Sequence, residues 1–186
     1  VGGSSTNDGG LGMAAGLGYR FFDKTGHEVE AVGEHLGDIT MVSYESCRWD
    51  LSQTKVTVIT DVTNPLCGPN GATYIFGGQK GLAKDDFASV DKDMERFYQT
   101  FFPAVLDLAG AGAGGGMAAG LAAFAGGQII SGIDTVLDML DFDQRVQKAD
   151  IVVVGEGRMD KQSLSGKAPV GLAQRTPRGK LVIAIC

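Results

Sequence analysis

An acidic residue stands where a predicted strand ends and a rigid loop begins. Lys55–Thr60 carries alternating and β-branched residues that predict a strand, and Asp61–Gly71 contains two prolines and two glycines that end it. Strand ends of this kind are where α/β enzymes place chemistry. Asp61 is therefore a candidate to hold a metal ion or accept a proton, while a turn-capping aspartate in an ordinary loop explains the same pattern.

Two further loops combine glycines, hydroxyl groups and acids. They are the opening segment Val1–Gly10 and the segment Gly155–Lys167. Backbone N–H groups that glycine and serine expose next to a helix start attract anions, and carboxylates hold a metal ion or take a proton. Three such loops in one chain favour phosphoryl transfer.

The composition excludes several classes of protein. The 186 residues are 44% hydrophobic and 20% charged, which predicts a soluble globular protein of one or two domains. A net charge of −6 without a run of Lys or Arg argues against a nucleic-acid partner. Glycines and polar residues interrupt the most apolar stretch, Val105–Ile133, so no membrane span is predicted. The three cysteines show neither disulfide nor zinc-site spacing, and we expect a cytoplasmic protein.

Local patterns predict the elements around the first two loops. A short helix capped by Asn7 or Asp8 should end at Leu17, and Tyr19–Val29 has the pattern of a hairpin. Apolar residues three and four apart between Asp85 and Leu108 predict one buried helix face, which Pro103 should kink or split.

The third loop lies in a predicted βαβ unit. Strands at Ile151–Val154 and Leu181–Cys186, of which the second is expected to be buried, flank a helix that starts near Ala168. The loop is no Walker A element, because Lys161 stands where that motif has its first glycine and Ala168 replaces the metal-binding hydroxyl. The segment Gly110–Gly115 formally matches G-x-G-x-x-G, but it follows a helix, so the small residues there predict close helix packing or a backing for the active site.

Four motifs carry a resemblance to a known family: Gly2–Gly10, Asp61–Gly71, Phe76–Gly81 and Gly155–Arg158. In this order, across nearly the whole chain, they resemble the bacterial glycerate kinases that lack a P-loop. The chain departs from the family pattern at Ser5 and Gly78, where the family usually has Ala and Pro, and it lacks the family's amino-terminal segment with an Asp-Ser-Phe-Lys-Gly motif.

The resemblance implies a fold and an activity. The fold would be α/β, with a flavodoxin-like domain into which a second α/β domain is inserted. Residues 1–147 would be most of the inserted domain and residues 148–186 the returning segment of the flavodoxin-like one, so the chain would be an internal fragment. The activity would be ATP-dependent phosphorylation of D-glycerate to a phosphoglycerate, with ATP and Mg²⁺.

Under this hypothesis the three loops supply the site. Asp61 and Asp160 would bind Mg²⁺ or accept the proton of the substrate hydroxyl, and Arg158 would neutralise charge on the phosphate. The candidate substrate- and phosphate-binding residues are Gly2, Gly3, Ser4, Ser5, Thr6, Asn7, Asp8, Thr63, Asn64, Glu156, Gly157 and Lys167.

Two other functions compete with this hypothesis. A nicotinamide-dependent oxidoreductase of a small hydroxy acid would use the G-x-G-x-x-G match and the βαβ unit. A non-catalytic domain that binds a phosphorylated metabolite would use the glycine loops, but their repeated acids would repel a phosphate unless a metal ion intervened. The sequence leaves open the phosphorylated hydroxyl, the identity of the base and the oligomeric state.

Overall fold

The computed structural model describes residues 1–155, 157 and 168–186, a mixed α/β chain. It divides into two compact units, Val1–Ile129 and Ile130–Cys186. The domain boundary expected after residue 147 stays a prediction. The helices are α1 Leu11–Leu17, α2 Ala72–Phe76, α3 Phe87–Phe101, α4 Ala113–Ala125, α5 Gly132–Met139, α6 Phe142–Gln147 and α7 Ala168–Arg175, with 3₁₀ helices at Gly33–Asp38, Gly78–Lys80, Lys84–Asp86 and Pro103–Val105. The strands are β1 Arg20–Phe22, β2 Glu28–Val29, β3 Met41–Ser43, β4 Thr57–Thr60, β5 Gln128–Ser131, β6 Ile151–Gly155 and β7 Leu181–Ile185.

The first unit contains the predicted hairpin. β1 lies between β2 and β3 in an antiparallel sheet, with Phe21 opposite Val29 and Val42. The Asp23 carboxylate closes the turn by accepting the backbone N–H groups of Thr25 and His27. The predicted strand before Asp61 is β4, which pairs with β5.

Helix α3 supplies much of the core. Met94, Phe97 and Tyr98 are buried, and Phe97 packs in edge and tilted contacts with neighbouring aromatic rings, including Phe124 on α4. The predicted break at Pro103 is confirmed, because α3 ends at Phe101 and a 3₁₀ helix begins at the proline. This core fixes α3 and α4 against each other.

Glycines allow α4 to approach the opening segment. A Cβ on Gly120 would lie 2.8 Å from the Cα of Gly10, so α1 and α4 pack with their backbones in contact. At its start α4 is kinked by Gly114, Gly115 and Gly116, whose φ angles are 64°, 70° and 87°. The prediction of close packing by the small residues is confirmed.

The second unit contains the predicted βαβ arrangement. β6 and β7 pair in parallel, with Ile151 opposite Leu181 and Gly155 opposite Ile185. The expectation that the strand at Leu181 is buried is wrong, because most of β7 is exposed. Ile151 and Val153 on β6 and Leu181 on β7 are between 51% and 60% exposed, because no described element covers this face of the two-stranded sheet.

Candidate functional site

The opening segment and the start of the Asp61 loop line one cavity, with the glycine kink of α4 between them. The cavity has a volume of about 500 Å³. Asp61 reaches it from the end of β4, and Gly114 reaches it from the kink. Four of the predicted binding residues also line it: Gly2, Gly3, Ser4 and Ser5. The structure thus brings together residues that lie about sixty positions apart in the sequence.

Hydrogen bonds hold the opening segment on the kink. The Ser4 hydroxyl donates to the Gly114 carbonyl at 2.8 Å and lies 3.0 Å from the Thr6 hydroxyl. The Thr6 carbonyl in turn accepts a hydrogen bond from the Lys80 ammonium group at 2.7 Å. Specific partners therefore hold the small-residue segment, whose first five residues line the cavity.

Asp8 anchors this segment to α1. Its carboxylate is 8% exposed and accepts backbone N–H groups of Gly10 at 2.9 Å and of Gly12 at 3.0 Å. The N-cap residue of α1 is Gly10 and not the predicted Asn7 or Asp8, although the Asp8 carboxylate does accept an N–H group of the first helical turn. Because both carboxylate oxygens already accept hydrogen bonds, Asp8 positions the segment through the backbone.

Asn7 faces the same region. Its Nδ2 donates to the Thr73 hydroxyl at 3.1 Å, which ties the opening segment to α2. Its Oδ1 is buried without a hydrogen-bond partner among the described residues. Thr6, Asn7 and Asp8 border a second cavity, of about 720 Å³, rather than the one that holds Asp61.

The Asp61 loop is held by residues other than Asp61. The Thr60 hydroxyl accepts the Val62 N–H at 3.3 Å, and the Asn64 side chain donates to the Asn70 carbonyl at 2.8 Å. The Gly68 N–H donates to the buried Asp91 carboxylate at 2.9 Å. The Asp61 side chain is exposed to the cavity, so the hydrogen bonds of the described residues favour a ligand-facing role over turn capping.

The remaining predicted residues of this loop lie elsewhere. Thr63 is exposed and does not line the Asp61 cavity, and the Asn64 carbonyl accepts the Gly112 N–H at 3.1 Å. Asn64 thus joins the loop to the glycine segment before α4. Their assignment as substrate-binding residues stays a prediction.

The Cys67 thiol is unsuited to nucleophilic chemistry. Burial raises its pKa to about 12, with the Asp91 and Glu95 carboxylates adding to the rise. Burial also raises the pKa of Asp91 itself, against the lowering effect of the Gly68 N–H. The half-buried Cys67 therefore acts as a packed side chain of the loop.

The sequence reasoning missed Lys80. The residue lies in the Phe76–Gly81 motif, which carried the resemblance but received no role. In the structure Lys80 ends the 3₁₀ helix after α2, is half-buried, and lines both the 500 Å³ and the 720 Å³ cavities. Burial lowers the pKa of its ammonium group, and the charge of Asp8 opposes this shift.

The donors around the cavity fit a magnesium ion that is held mainly by its substrate and by water. Among the described residues, no three His, Cys, Asp or Glu side chains group as a metal site. Mg²⁺ in phosphoryl-transfer sites commonly takes one or two carboxylates and completes its shell with water and substrate phosphates, so the single exposed Asp61 fits such an ion. Gly157 is described as an exposed residue after β6, and the predicted Glu156, Arg158, Asp160 and Lys167 lie outside the described residues.

A family model for the glycerate kinase family matches residues 1–186. The chain belongs to the glycerate kinase family. It is 52% identical to a glycerate kinase of Neisseria meningitidis serogroup B over 187 residues, which are 100% of this chain and 50% of the relative. It is 39% identical to glycerate 2-kinase of Escherichia coli K12 over 177 residues, which are 93% of this chain and 46% of that protein.

A solved glycerate kinase structure has the same fold over this chain. The crystal structure of a Salmonella typhimurium LT2 protein assigned as glycerate kinase 2 aligns with a TM-score of 0.79 and 40% identity, covering 99% of this chain and 50% of that one. The chain therefore spans about half the length of the glycerate kinases it matches. These matches confirm the resemblance and give no support to the oxidoreductase alternative. Among the described helices, none has the length and apolar character of a membrane span.

Proposed function

We propose that the protein to which this chain belongs transfers a phosphoryl group from ATP to D-glycerate, giving a phosphoglycerate. The observation that carries the proposal is the cavity in which the exposed carboxylate of Asp61 faces the serines and glycines of the opening segment. Family membership supports the same reaction. The cavity holds an acid that can accept a hydroxyl proton together with neutral donors that can bind an anion, as phosphoryl transfer requires.

The residues of the cavity have distinct roles in this proposal. Asp61, on the end of β4, accepts the proton of the substrate hydroxyl or holds Mg²⁺. The Ser5 hydroxyl group and the backbone N–H groups around Gly2 and Gly3 bind substrate oxygens. The Ser4 hydroxyl, whose proton goes to the Gly114 carbonyl, accepts a hydrogen bond from a substrate hydroxyl. Mg²⁺, when bound, neutralises charge on the phosphates of ATP.

The other half of the site is proposed on the family resemblance. Arg158 and Lys167 contact phosphate oxygens, Asp160 is a second candidate for metal or proton, and Glu156 and Gly157 belong to the same binding loop. Residues 1–147 form most of a domain inserted into a flavodoxin-like domain, to which residues 148–186 belong. We also propose a cytoplasmic enzyme that takes D-glycerate and ATP, with no nucleic-acid or membrane partner.

The decisive experiment measures ADP release by the full-length protein with D-glycerate. We expect release that depends on D-glycerate and stops when a chelator removes Mg²⁺. Phosphorus NMR of the product distinguishes the 2-phosphate from the 3-phosphate. ADP release that is unchanged by the chelator contradicts the metal assignment, and no release with D-glycerate contradicts the proposed reaction.

Asp61→Asn tests the role of the carboxylate. The substitution keeps the size of the side chain and removes its charge, so we expect kcat to fall by about 10²-fold or more, the usual contribution of a general base or an electrostatic contact. The melting temperature should change little, because the loop is held by Thr60, Asn64 and Asp91. Asp107→Asn, at an exposed position outside the cavity, is the matched control. Near-normal turnover of Asp61→Asn would remove this residue from the catalytic set.

A further inference from the structure

Lys80 lies at the junction of the two cavities beside the opening segment. Its side chain is half-buried, and its Nζ donates to the Thr6 carbonyl at 2.7 Å. A Cβ on Gly115 would lie 2.8 Å from the same Nζ, so the ammonium group sits directly against the kink of α4. The position of the charge is therefore set by backbone groups on two sides.

The ammonium group keeps donors for a ligand. An ammonium group has three N–H donors, and the Thr6 carbonyl takes one of them. The ion pairs among the described residues do not include Lys80. A half-buried ammonium group with one neutral partner is a strong site for an anion, because an ionised acceptor forms shorter and stronger hydrogen bonds.

The charges of the two cavities differ. The 720 Å³ cavity is lined by four carboxylates, those of Asp8, Glu34, Asp86 and Asp93. The 500 Å³ cavity is lined by one, Asp61, together with the hydroxyl groups of Ser4 and Ser5. A small anion therefore meets less repulsion on the Asp61 side of Lys80.

We propose that Lys80 is the counterion of the substrate carboxylate and that it selects hydroxy acids over neutral polyols. In this arrangement the carboxylate of the hydroxy acid binds Lys80 in the 500 Å³ cavity, and the hydroxyl end of the substrate points away toward Asp61. The proposal rests on the proposed function, because it names the group that recognises the acidic end of the same substrate. In this proposal ATP binds residues other than Lys80.

The test compares binding of an acid with binding of its neutral analogue. Calorimetric titrations of the full-length protein use D-glycerate and D-glyceramide, in which an amide replaces the carboxylate. The variants are Lys80→Met, which removes the charge, and Lys80→Arg, which keeps it. Lys84→Met, at an exposed lysine that lines neither cavity, is the matched control.

We expect Lys80→Met to weaken D-glycerate binding about 10- to 100-fold, the effect of losing one charge-assisted hydrogen bond. Lys80→Arg and Lys84→Met should stay within a few-fold of wild type, and the Kd for ATP should not change in any variant. The readout is the ratio of the Kd values for D-glycerate and D-glyceramide. General damage from losing the contact with Thr6 weakens both ligands and leaves this ratio unchanged.

Three results would overturn the inference: an unchanged ratio in Lys80→Met, a change in ATP affinity instead, or wild-type protein that binds the acid no better than the amide. ADP release from wild-type protein, measured in parallel, reports on the proposed function separately. A wild-type protein that binds D-glycerate through Lys80 without phosphorylating it would refute the reaction and keep the binding assignment.

Discussion

We expect the substitution Gly115→Ala to displace the opening segment and so to disrupt the candidate site. The φ of Gly115 is +70°, and a Cβ there would lie 1.9 Å from the Thr6 carbonyl oxygen and 2.8 Å from Lys80 Nζ. Real Cβ atoms essentially never come closer than 3.0 Å to such atoms, so Thr6 must move by at least 1.1 Å, the difference between 3.0 and 1.9 Å. We expect the hydrogen bond between Lys80 and Thr6 to be disrupted, because the same Cβ displaces both of its partners.

The free energy of unfolding should fall accordingly in Gly115→Ala. A left-handed backbone costs a non-glycine residue about 1–2 kcal/mol. Loss of the hydrogen bond from Lys80 adds about 1.5–3 kcal/mol, and weakening of the bond from the Gly9 N–H to the Gly115 carbonyl adds about 0.5–1.5 kcal/mol. The expected cost is about 3–6.5 kcal/mol, a large part of the stability of a typical domain.

Gly126→Ala separates the clash from the backbone strain. Gly126 has a nearly equal φ of +63°, and no atom lies within 4 Å of the position of its Cβ. This variant should therefore cost only about 1–2 kcal/mol, the strain of the left-handed backbone. Urea unfolding of the full-length proteins, followed by circular dichroism, measures both variants, and kcat/KM with D-glycerate should fall in Gly115→Ala alone. Equal unfolding midpoints and equal activities in the two variants would refute the reasoning.

Two further predictions concern titrating groups. At pH 8 the Cys67 thiol, with a pKa of about 12, should react with a disulfide reagent on the order of 10³ times more slowly than a thiol of ordinary pKa; rapid labelling of Cys67, located by mass spectrometry, would contradict this. In the second unit, the hydrogen bond from Arg175 lowers the pKa of Asp143. A lowered folded-state pKa stabilises the protein above the unfolded-state pKa and loses this effect as the pH falls. The difference in melting temperature between wild type and Arg175→Gln should therefore be largest near neutral pH and shrink below about pH 4; a difference independent of pH would exclude the pair as the cause.

The sequence could predict elements whose signals are local. The hairpin at Tyr19–Val29, the break between α3 and the 3₁₀ helix at Pro103 and the parallel pairing of β6 and β7 follow from periodicity, turn residues and proline chemistry. The prediction that the strand at Leu181 is buried was wrong, because hydrophobicity alone does not say whether another element covers a face of the sheet. The family resemblance was confirmed because its motifs are long and occur in a fixed order.

The candidate site was predictable only in part, because its contacts are distant in sequence. Asp61 and the opening segment were singled out by composition, yet nothing local indicates that Ser4 donates to the carbonyl of Gly114. The position of Lys80 in the site was likewise not predictable from the local sequence. Lys80 is one of sixteen Lys and Arg residues, and only the turn after α2 brings its ammonium group to Thr6, 74 positions earlier in the chain.

The glycine segment before and within α4 explains why these distant pieces meet. Gly112 admits the Pro65 carbonyl of the Asp61 loop, and Gly115 admits the Thr6 carbonyl of the opening segment, each at a position where a Cβ would lie within 2.3 Å of the oxygen. One stretch of backbone thus receives both loops, and a side chain at either glycine would push one loop away from the other. The segment that formally matches a dinucleotide motif instead sets the distance between the Asp61 loop and the opening segment, the two pieces that we propose act together in phosphoryl transfer.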